Sequence, residues 1–218
     1  DEKHHYMWRF MFLCSSIVLV LNFSRAFLLG FGVALLVLAY RHKIRRWFTV
    51  SLWSVAMIVL VFFSINIVSS TGNSIGLEIA GLRLNSFIQP ETEMSTYTRM
   101  AILNPILETI STSPIIGVGL GSAVTYIHPS NYAQITTRHY DWGYFEMIAE
   151  LGSIGSLFYL MLIFFLIRAL IKNIRAISDF HDLYIGFLAA IVALLVMSIT
   201  TQVFLHVYGI AFLAFLTA

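Results

Sequence analysis

A chain of 218 residues that is 59% hydrophobic and 11% charged, with mean hydropathy +0.84, is not an ordinary soluble domain. Such domains are about 45–50% apolar and about 25% charged, so this composition defines an integral membrane protein. A net charge of only +2 gives no footprint for nucleic acid, and the single cysteine, Cys14 in an apolar run, excludes a disulfide framework and a cysteine metal centre.

At about 20 apolar residues per span, the length allows roughly five or six transmembrane helices. In chain order the apolar runs cover residues 7–23, 24–40, 48–69, 153–171, 183–204 and 207–218. The first two meet at Asn22-Phe-Ser-Arg25. An arginine at the centre of one long helix costs at least about 2.5–3.5 kcal/mol, so a helical hairpin with Arg25 at its tip is expected. A long, less apolar segment over 71–152 separates the third run from the fourth. Within it, residues 97–110 place Met100, Leu103, Leu107 and Ile110 at helical spacing. That spacing predicts an amphipathic helix along the membrane surface, capped by Ser95 or Thr96 and kinked or interrupted at Pro105. A second helix over 142–151 is expected to run into the fourth span, with Gly152 and Gly155 allowing a bend or close packing. The sixth run, preceded by Thr200-Thr-Gln202, is predicted as a span cut short. Because the chain starts at Asp1 and stops inside an apolar run, it is expected to be the C-terminal part of a longer polytopic protein, one membrane domain over 1–218. The fold class expected is therefore all-α: a bundle of about six spans with a long, partly helical external loop.

Orientation follows from the positive-inside rule. Arg41-His-Lys-Ile-Arg-Arg46 is the densest basic cluster and is assigned to the cytoplasm. Counting spans from it also places Lys3, Arg9, Arg168, Lys172 and Arg175 inside. Only Arg25, Arg83, Arg99 and Arg138 then fall on the far side, three of them in the 71–152 loop. That loop faces the periplasm or cell exterior if the membrane is a bacterial inner membrane.

Four groups of residues, all in the loop except Arg25, bear on chemistry. Ser113-Pro-Ile-Ile-Gly-Val-Gly-Leu-Gly121 lacks the second gap of a dinucleotide fingerprint and the Lys-Ser/Thr of a phosphate loop. It is expected to be an irregular turn after Pro114. Gly117, Gly119 and Gly121 would there let backbone approach backbone, or leave amides bare toward an anion. Arg25, Arg83, Arg99 and Arg138 each suit a lipid headgroup, and as a set they suit a diphosphate, since guanidinium pairs bidentately with phosphate oxygens. His139 and Asp141 precede the second loop helix. Asp141 is expected either to cap that helix or, like His139, to serve as a general base toward a hydroxyl. Glu146 and Glu150, four residues apart, share one helix face and are expected to terminate or anchor it. No metal-ligand spacing and no activated nucleophile is evident, so no metal and no cofactor is expected.

In their order, these residues resemble the O-antigen ligase and polysaccharide polymerase family. The resemblance rests on four features: Ser24-Arg25 opening a span from outside with Ala26-Phe-Leu-Leu-Gly30; Arg99 heading an external helix some 15 residues before the glycine string; a His-containing segment entering a helix that ends Glu150-Leu-Gly152-Ser-Ile-Gly155; and the long external loop. The resemblance implies a metal-independent membrane glycosyltransferase. Its donor would be a glycan on undecaprenyl diphosphate, and its acceptor a sugar hydroxyl on a glycan or glycolipid. By position, Arg25 and Arg99, with Arg138 nearby, would hold the diphosphate, and a family histidine would activate the acceptor. The family often reads His-x-His-Asn or His-Asn at that point. Aligned back from Glu150-Leu-Gly152, Asp141 takes the place of the second His and Trp142 that of the Asn, while His139 matches the first. That departure favours a polymerase or a divergent member over a lipid A–core ligase. The competing reading is a transporter or lipid-handling protein without covalent chemistry. It predicts ionisable groups within the spans, where Asn66, Ser64 and Gln202 are the polar residues found.

Overall fold

The computed structural model describes residues 24–41, 94–138, 140–176 and 180–217, together with helical backbone at 10–11, 14–15, 17–18, 49, 52–53, 55–56 and 59. The chain divides into two compact units, Asp1–Gln89 and Pro90–Ala218, which are described separately.

In the first unit, helix α1 covers Arg25–Arg41. It begins directly after Ser24, whose carbonyl accepts the Leu28 N–H at 3.2 Å. Arg25 thus stands at the helix start. At 17 residues, α1 is about 26 Å long, short of the roughly 30 Å of a hydrocarbon core. Most of the predicted 48–69 span lies outside the described residues.

The second unit contains α2 (Met94–Thr112), β1 (Val124–Ile127), β2 (Gln134–Thr137), α3 (Gly143–Arg175), α4 (His181–Met197) and α5 (Val207–Thr217). The strands form an antiparallel hairpin with Val124 opposite Thr137 and Ile127 opposite Gln134. The chain is therefore mostly helical rather than all-α. The turn His128-Pro-Ser-Asn-Tyr-Ala133 is closed by the His128 N–H on the Ala133 carbonyl at 2.8 Å and the Tyr132 N–H on the His128 carbonyl at 2.9 Å.

Among the described residues, α3 alone is long and apolar enough to cross a membrane; α1, α4 and α5 are apolar but shorter. Six complete spans are thus not what the described helices provide. The predicted 183–204 span ends early, at Met197. Hydroxyls in Ser198-Ile-Thr-Thr201 explain why. Ser198 Oγ donates to the Leu194 carbonyl and Thr201 Oγ1 to the Met197 carbonyl, both at 2.8 Å, so the hydroxyls share carbonyls that the backbone N–H groups of Ser198 and of Thr200 and Thr201 also use, and compete with continuation of the helix.

Helix α3 is two helices joined at Gly152, whose φ of 69° and ψ of −178° break the helical run. The whole is 33 residues, about 50 Å, far more than a bilayer core needs. Its ionisable groups lie at Glu146 and Glu150 on one side and at Arg168, Lys172 and Arg175 on the other. The stretch free of them, 151–167, is the part suited to lipid, and the arm over 143–151 lies outside it. Ile163, Leu170, Ile191, Phe204 and Leu213 form the core that binds the second arm to α4 and α5. The Tyr159 hydroxyl donates to the Phe204 carbonyl at 2.7 Å across the same contact.

A second core holds the extramembrane part. Ile102 and Ile106 of α2 pack with Val124 and Tyr126 of β1, with Tyr140, and with Ala149 of α3. This is not the stripe predicted for α2: Met100 and Leu107 are exposed, and only Ile110 of the expected set packs against this core. The helix carries two apolar stripes, and the hairpin covers the one through Ile102 and Ile106. It also runs unbroken through Pro105. Burial of Ile102 and Ile106 on either side offsets the roughly 3 kcal/mol a helix-interior proline costs. Ser95 and Thr96 lie within the first turn of α2 rather than ahead of it.

Candidate functional site

The glycine string folds against the kink of α3. The Pro114 and Ile115 carbonyls accept the Ser153 and Ile154 N–H groups at 2.9 and 3.2 Å. In return the Val118 and Gly119 N–H groups donate to the Ala149 and Glu150 carbonyls at 2.9 and 3.0 Å. Within the loop, the Gly117 N–H donates to the Ser113 carbonyl at 3.0 Å and Ser113 Oγ to the Gly117 carbonyl at 2.9 Å. Gly117, Gly119 and Gly121 all have positive φ, at 78°, 100° and 74°. A Cβ on Gly117 would overlap the Glu150 carbonyl, and one on Gly152 the Ile115 carbonyl. The two glycines are reciprocal: each lacks a side chain because the other's backbone is there. The amides of 117, 118, 119 and 121 all have partners within the protein, so close backbone approach, not an open anion nest, is the geometry of this loop.

Glu150 joins this loop to the helix twice, since its Oε1 also accepts the Gly121 N–H at 2.9 Å. From Ser122 the chain enters the hairpin and returns at Tyr140, which is fully buried. The Tyr140 hydroxyl donates to the Ser122 carbonyl at 2.9 Å and lies 2.7 Å from Ser122 Oγ. Next in sequence, Asp141 Oδ2 accepts from Arg99 Nε at 3.0 Å. Trp142 Nε1 then donates to the Arg99 carbonyl at 2.9 Å. Three consecutive residues are thus pinned, two of them to Arg99. Asp141 is not the cap of α3: that position is Trp142, without a side-chain cap bond.

The predicted site residues separate accordingly. Arg99 and Asp141 are brought together. Arg138, at the end of β2, is exposed. Arg25 belongs to the first unit, at the start of α1. His139, like Arg83, lies outside the described residues. Pro114, Gly117, Gly119 and Gly121 build the loop docked on Gly152. Among the described residues no group of His, Cys, Asp and Glu is placed to hold a metal ion.

Glu146 has a larger place than its sequence reading gave it. It is 2% exposed, one helical turn before the equally buried Glu150. Burial first, then the neighbouring Glu150 carboxylate, pushes its carboxyl up to about 8; a hydrogen bond from the Tyr140 backbone acts the other way, and Asp141 adds a smaller upward push. The sequence signal was available: two carboxyls inside the apolar run Tyr144-Phe-Glu-Met-Ile-Ala-Glu150 must either face water or be buried with partners.

A stability prediction follows from that shift. A folded-state carboxyl raised to about 8 from 4.5 binds its proton more tightly than the unfolded chain does. Stability is therefore highest below the unfolded value and falls as pH rises through the folded one. Melting of the full-length protein between pH 5 and about 8 should show a decline that Glu146→Gln flattens. An equal slope in both proteins would remove Glu146 as its source.

These features define a mostly helical membrane protein in which Arg99, Asp141, Glu146 and Glu150 gather where one long helix bends before its apolar stretch. The chain belongs to the O-antigen ligase family, whose family model matches residues 10–160. That range contains α1, α2, the glycine loop, the hairpin and the kink at Gly152. The family points to glycosyl transfer in polysaccharide synthesis by a bacterial membrane protein. No curated protein and no solved structure matches the chain.

Proposed function

We propose that the protein transfers a glycan from an undecaprenyl-diphosphate carrier to a sugar hydroxyl, without a metal, at the external face of a bacterial inner membrane. The observation that carries this reading is the Arg99–Asp141 pair, set beside a rigid 140–142 segment inside the family-matched region. Asp141 occupies the Nε edge of the guanidinium and fixes its plane. The terminal amino groups remain for phosphate oxygens, the bidentate geometry that arginine offers and lysine does not. Arg138 is proposed to add to the diphosphate site, and Arg25, at the start of α1 in the other unit, is proposed by family position alone as a phosphate-binding residue.

In the reaction, a base removes the proton of the acceptor hydroxyl as its oxygen attacks the anomeric carbon from the face opposite the carrier. The new C–O bond forms while the bond from that carbon to the diphosphate oxygen breaks, its electron pair leaving on undecaprenyl diphosphate. Arginine stabilises the charge that develops there. His139 and Asp141 are the candidates for the base. The engagement of Asp141 with Arg99 favours His139 as base and Asp141 as the residue that positions Arg99.

The test is transfer by purified full-length protein from a defined undecaprenyl-diphosphate glycan, followed by mass spectrometry of the acceptor. A covalent product is expected, unaffected by chelator and formed far more slowly by Arg99→Ala. Substrate movement across vesicles without any covalent product would instead support a transporter.

A further inference from the structure

The glycine loop turns outward a set of side chains that the proposed reaction does not use. Ile115, Ile116, Val118 and Leu120 are 58%, 78%, 41% and 71% exposed. No Asp, Glu, Lys or Arg occurs between Glu108 and Arg138, so no charge interrupts this face. A water-facing loop of that composition is unusual, because soluble surfaces intersperse charges and keep contiguous apolar patches small.

Two further observations say what covers it. First, the hydrogen bonds from Ser153 and Ile154 hold 114–115 beside the first turn of the second arm of α3. On that arm Ile154, Leu157 and Phe158 are also exposed, so the apolar face of the loop adjoins the apolar face of the helix suited to lipid. Second, the loop backbone is satisfied internally where it docks on α3, and the groups left over, those of Ile116 and Leu120 among them, suit the hydrated headgroup layer rather than the acyl core. The carbonyls of Ser113, Pro114, Ile115 and Gly117 and the amides of Gly117, Val118, Gly119 and Gly121 all have protein partners. Irregular backbone enters the hydrocarbon core only when its polar groups are satisfied internally, which confines this loop to the hydrated interfacial layer.

We propose that Ile115, Ile116, Val118 and Leu120 insert into the interfacial layer of the bilayer leaflet where α3 enters, as a shallow lipid anchor beside the spanning helix. The partner is phospholipid at the boundary of headgroup and acyl chain. Burial of apolar surface there drives the contact, at about 25 cal/mol per Å². Through Glu150 and the 149–154 backbone, the anchor fixes the depth of the 140–142 segment against the membrane surface. This inference rests on the reading of α3 as a span, not on the transfer chemistry.

The experiment uses full-length protein with every native cysteine, Cys14 included, replaced by serine, reconstituted in vesicles of phosphatidylethanolamine and phosphatidylglycerol. A fluorophore is placed at Ile116→Cys or Leu120→Cys, and at the exposed Glu108→Cys for comparison. Labels at 116 and 120 are expected to be quenched several-fold more by lipids spin-labelled near the headgroup than by aqueous iodide, with the reverse at 108. Iodide quenching at 116 and 120 as strong as at 108 would overturn the proposal. So would protection from both quenchers, which would mean that protein covers the loop. Unlabelled Ile116→Asn supplies a second readout that needs no probe. At unchanged melting temperature in detergent, it should lower thermal stability in the same vesicles, and equal stability in both would count against the anchor.

Discussion

Valine at position 152 is expected to lower the melting temperature of the full-length protein by roughly 5–20 °C and to remove glycan transfer with it. Two costs combine. The backbone at Gly152, with φ 69° and ψ −178°, lies in a region essentially confined to glycine, and a side chain there costs about 1–3 kcal/mol in strain. The new Cβ must also displace the Ile115 carbonyl and the Gly117 amide, backbone atoms that cannot swing aside as a side-chain tip could. Overpacking of that kind adds about 1–3 kcal/mol. Moving the loop also breaks the hydrogen bonds at Val118, Gly119, Ser153 and Ile154, so the damage spreads to Glu150 and the arm that carries Glu146. Gly117→Val should behave alike, since it meets the Glu150 carbonyl from the other side. Gly186→Ala is the contrast. It lies inside α4 with nothing near its missing Cβ, and should stabilise by about 0.5–1 kcal/mol through lower backbone entropy in the unfolded chain. Melting curves of these variants in one detergent decide the matter. A Gly152→Val protein that melts with the parent would mean that loop and kink are not coupled.

That coupling shows how far the sequence could be read. The bend at Gly152 between a 142–151 helix and an apolar run was visible, because the two carboxylates stop there and two glycines lie three residues apart. The reason for the bend was not. It depends on Gly117, far away in the chain, and no periodicity reports a contact between two backbones. The hairpin was missed for a related reason. Val124-Thr-Tyr-Ile127 and Gln134-Ile-Thr-Thr137 are β-branched at all but Tyr126 and Gln134 and flank a Pro-Ser-Asn turn, a legible strand signal, but each is only four residues long. Without the hairpin, the spacing pointed to the stripe through Met100 and Leu107, and nothing singled out the one through Ile102 and Ile106 that the hairpin covers. The ionisable groups were easier to find than to assign. Arg99 and Asp141 were both singled out, yet as a phosphate ligand and a helix cap or base, because sequence distance hides an ion pair across forty-odd residues. Glu146 was passed over because spacing alone cannot tell a solvated face from a buried one.

The Arg99–Asp141 pair leads to the second large effect. Arg99→Ala is expected to reduce transfer by about 10²–10³-fold, the usual loss when one group that stabilises developing charge is removed. Stability should barely change: the two side chains are 27% and 48% exposed, and surface pairs of this kind contribute about 0–1 kcal/mol. If Asp141 acts by holding the guanidinium plane, Asp141→Ala loses activity on its own but nothing further in an Arg99→Ala background. Asp141→Asn should keep part of the activity, since an amide oxygen still accepts the Nε–H. His139→Ala should then multiply with either change, because proton removal is a separate contribution. If Asp141 is instead the base, its loss must multiply with that of Arg99, Asp141→Asn must be as damaging as Asp141→Ala, and the acid limb of the pH–rate profile must vanish with it. The positioning role predicts that this limb persists in Asp141→Asn and is lost in His139→Ala. Rates for the single and double variants across pH, measured with one donor and one acceptor, separate the two assignments: a non-additive cycle leaves Asp141 as the support of Arg99, and a multiplicative one makes it the base.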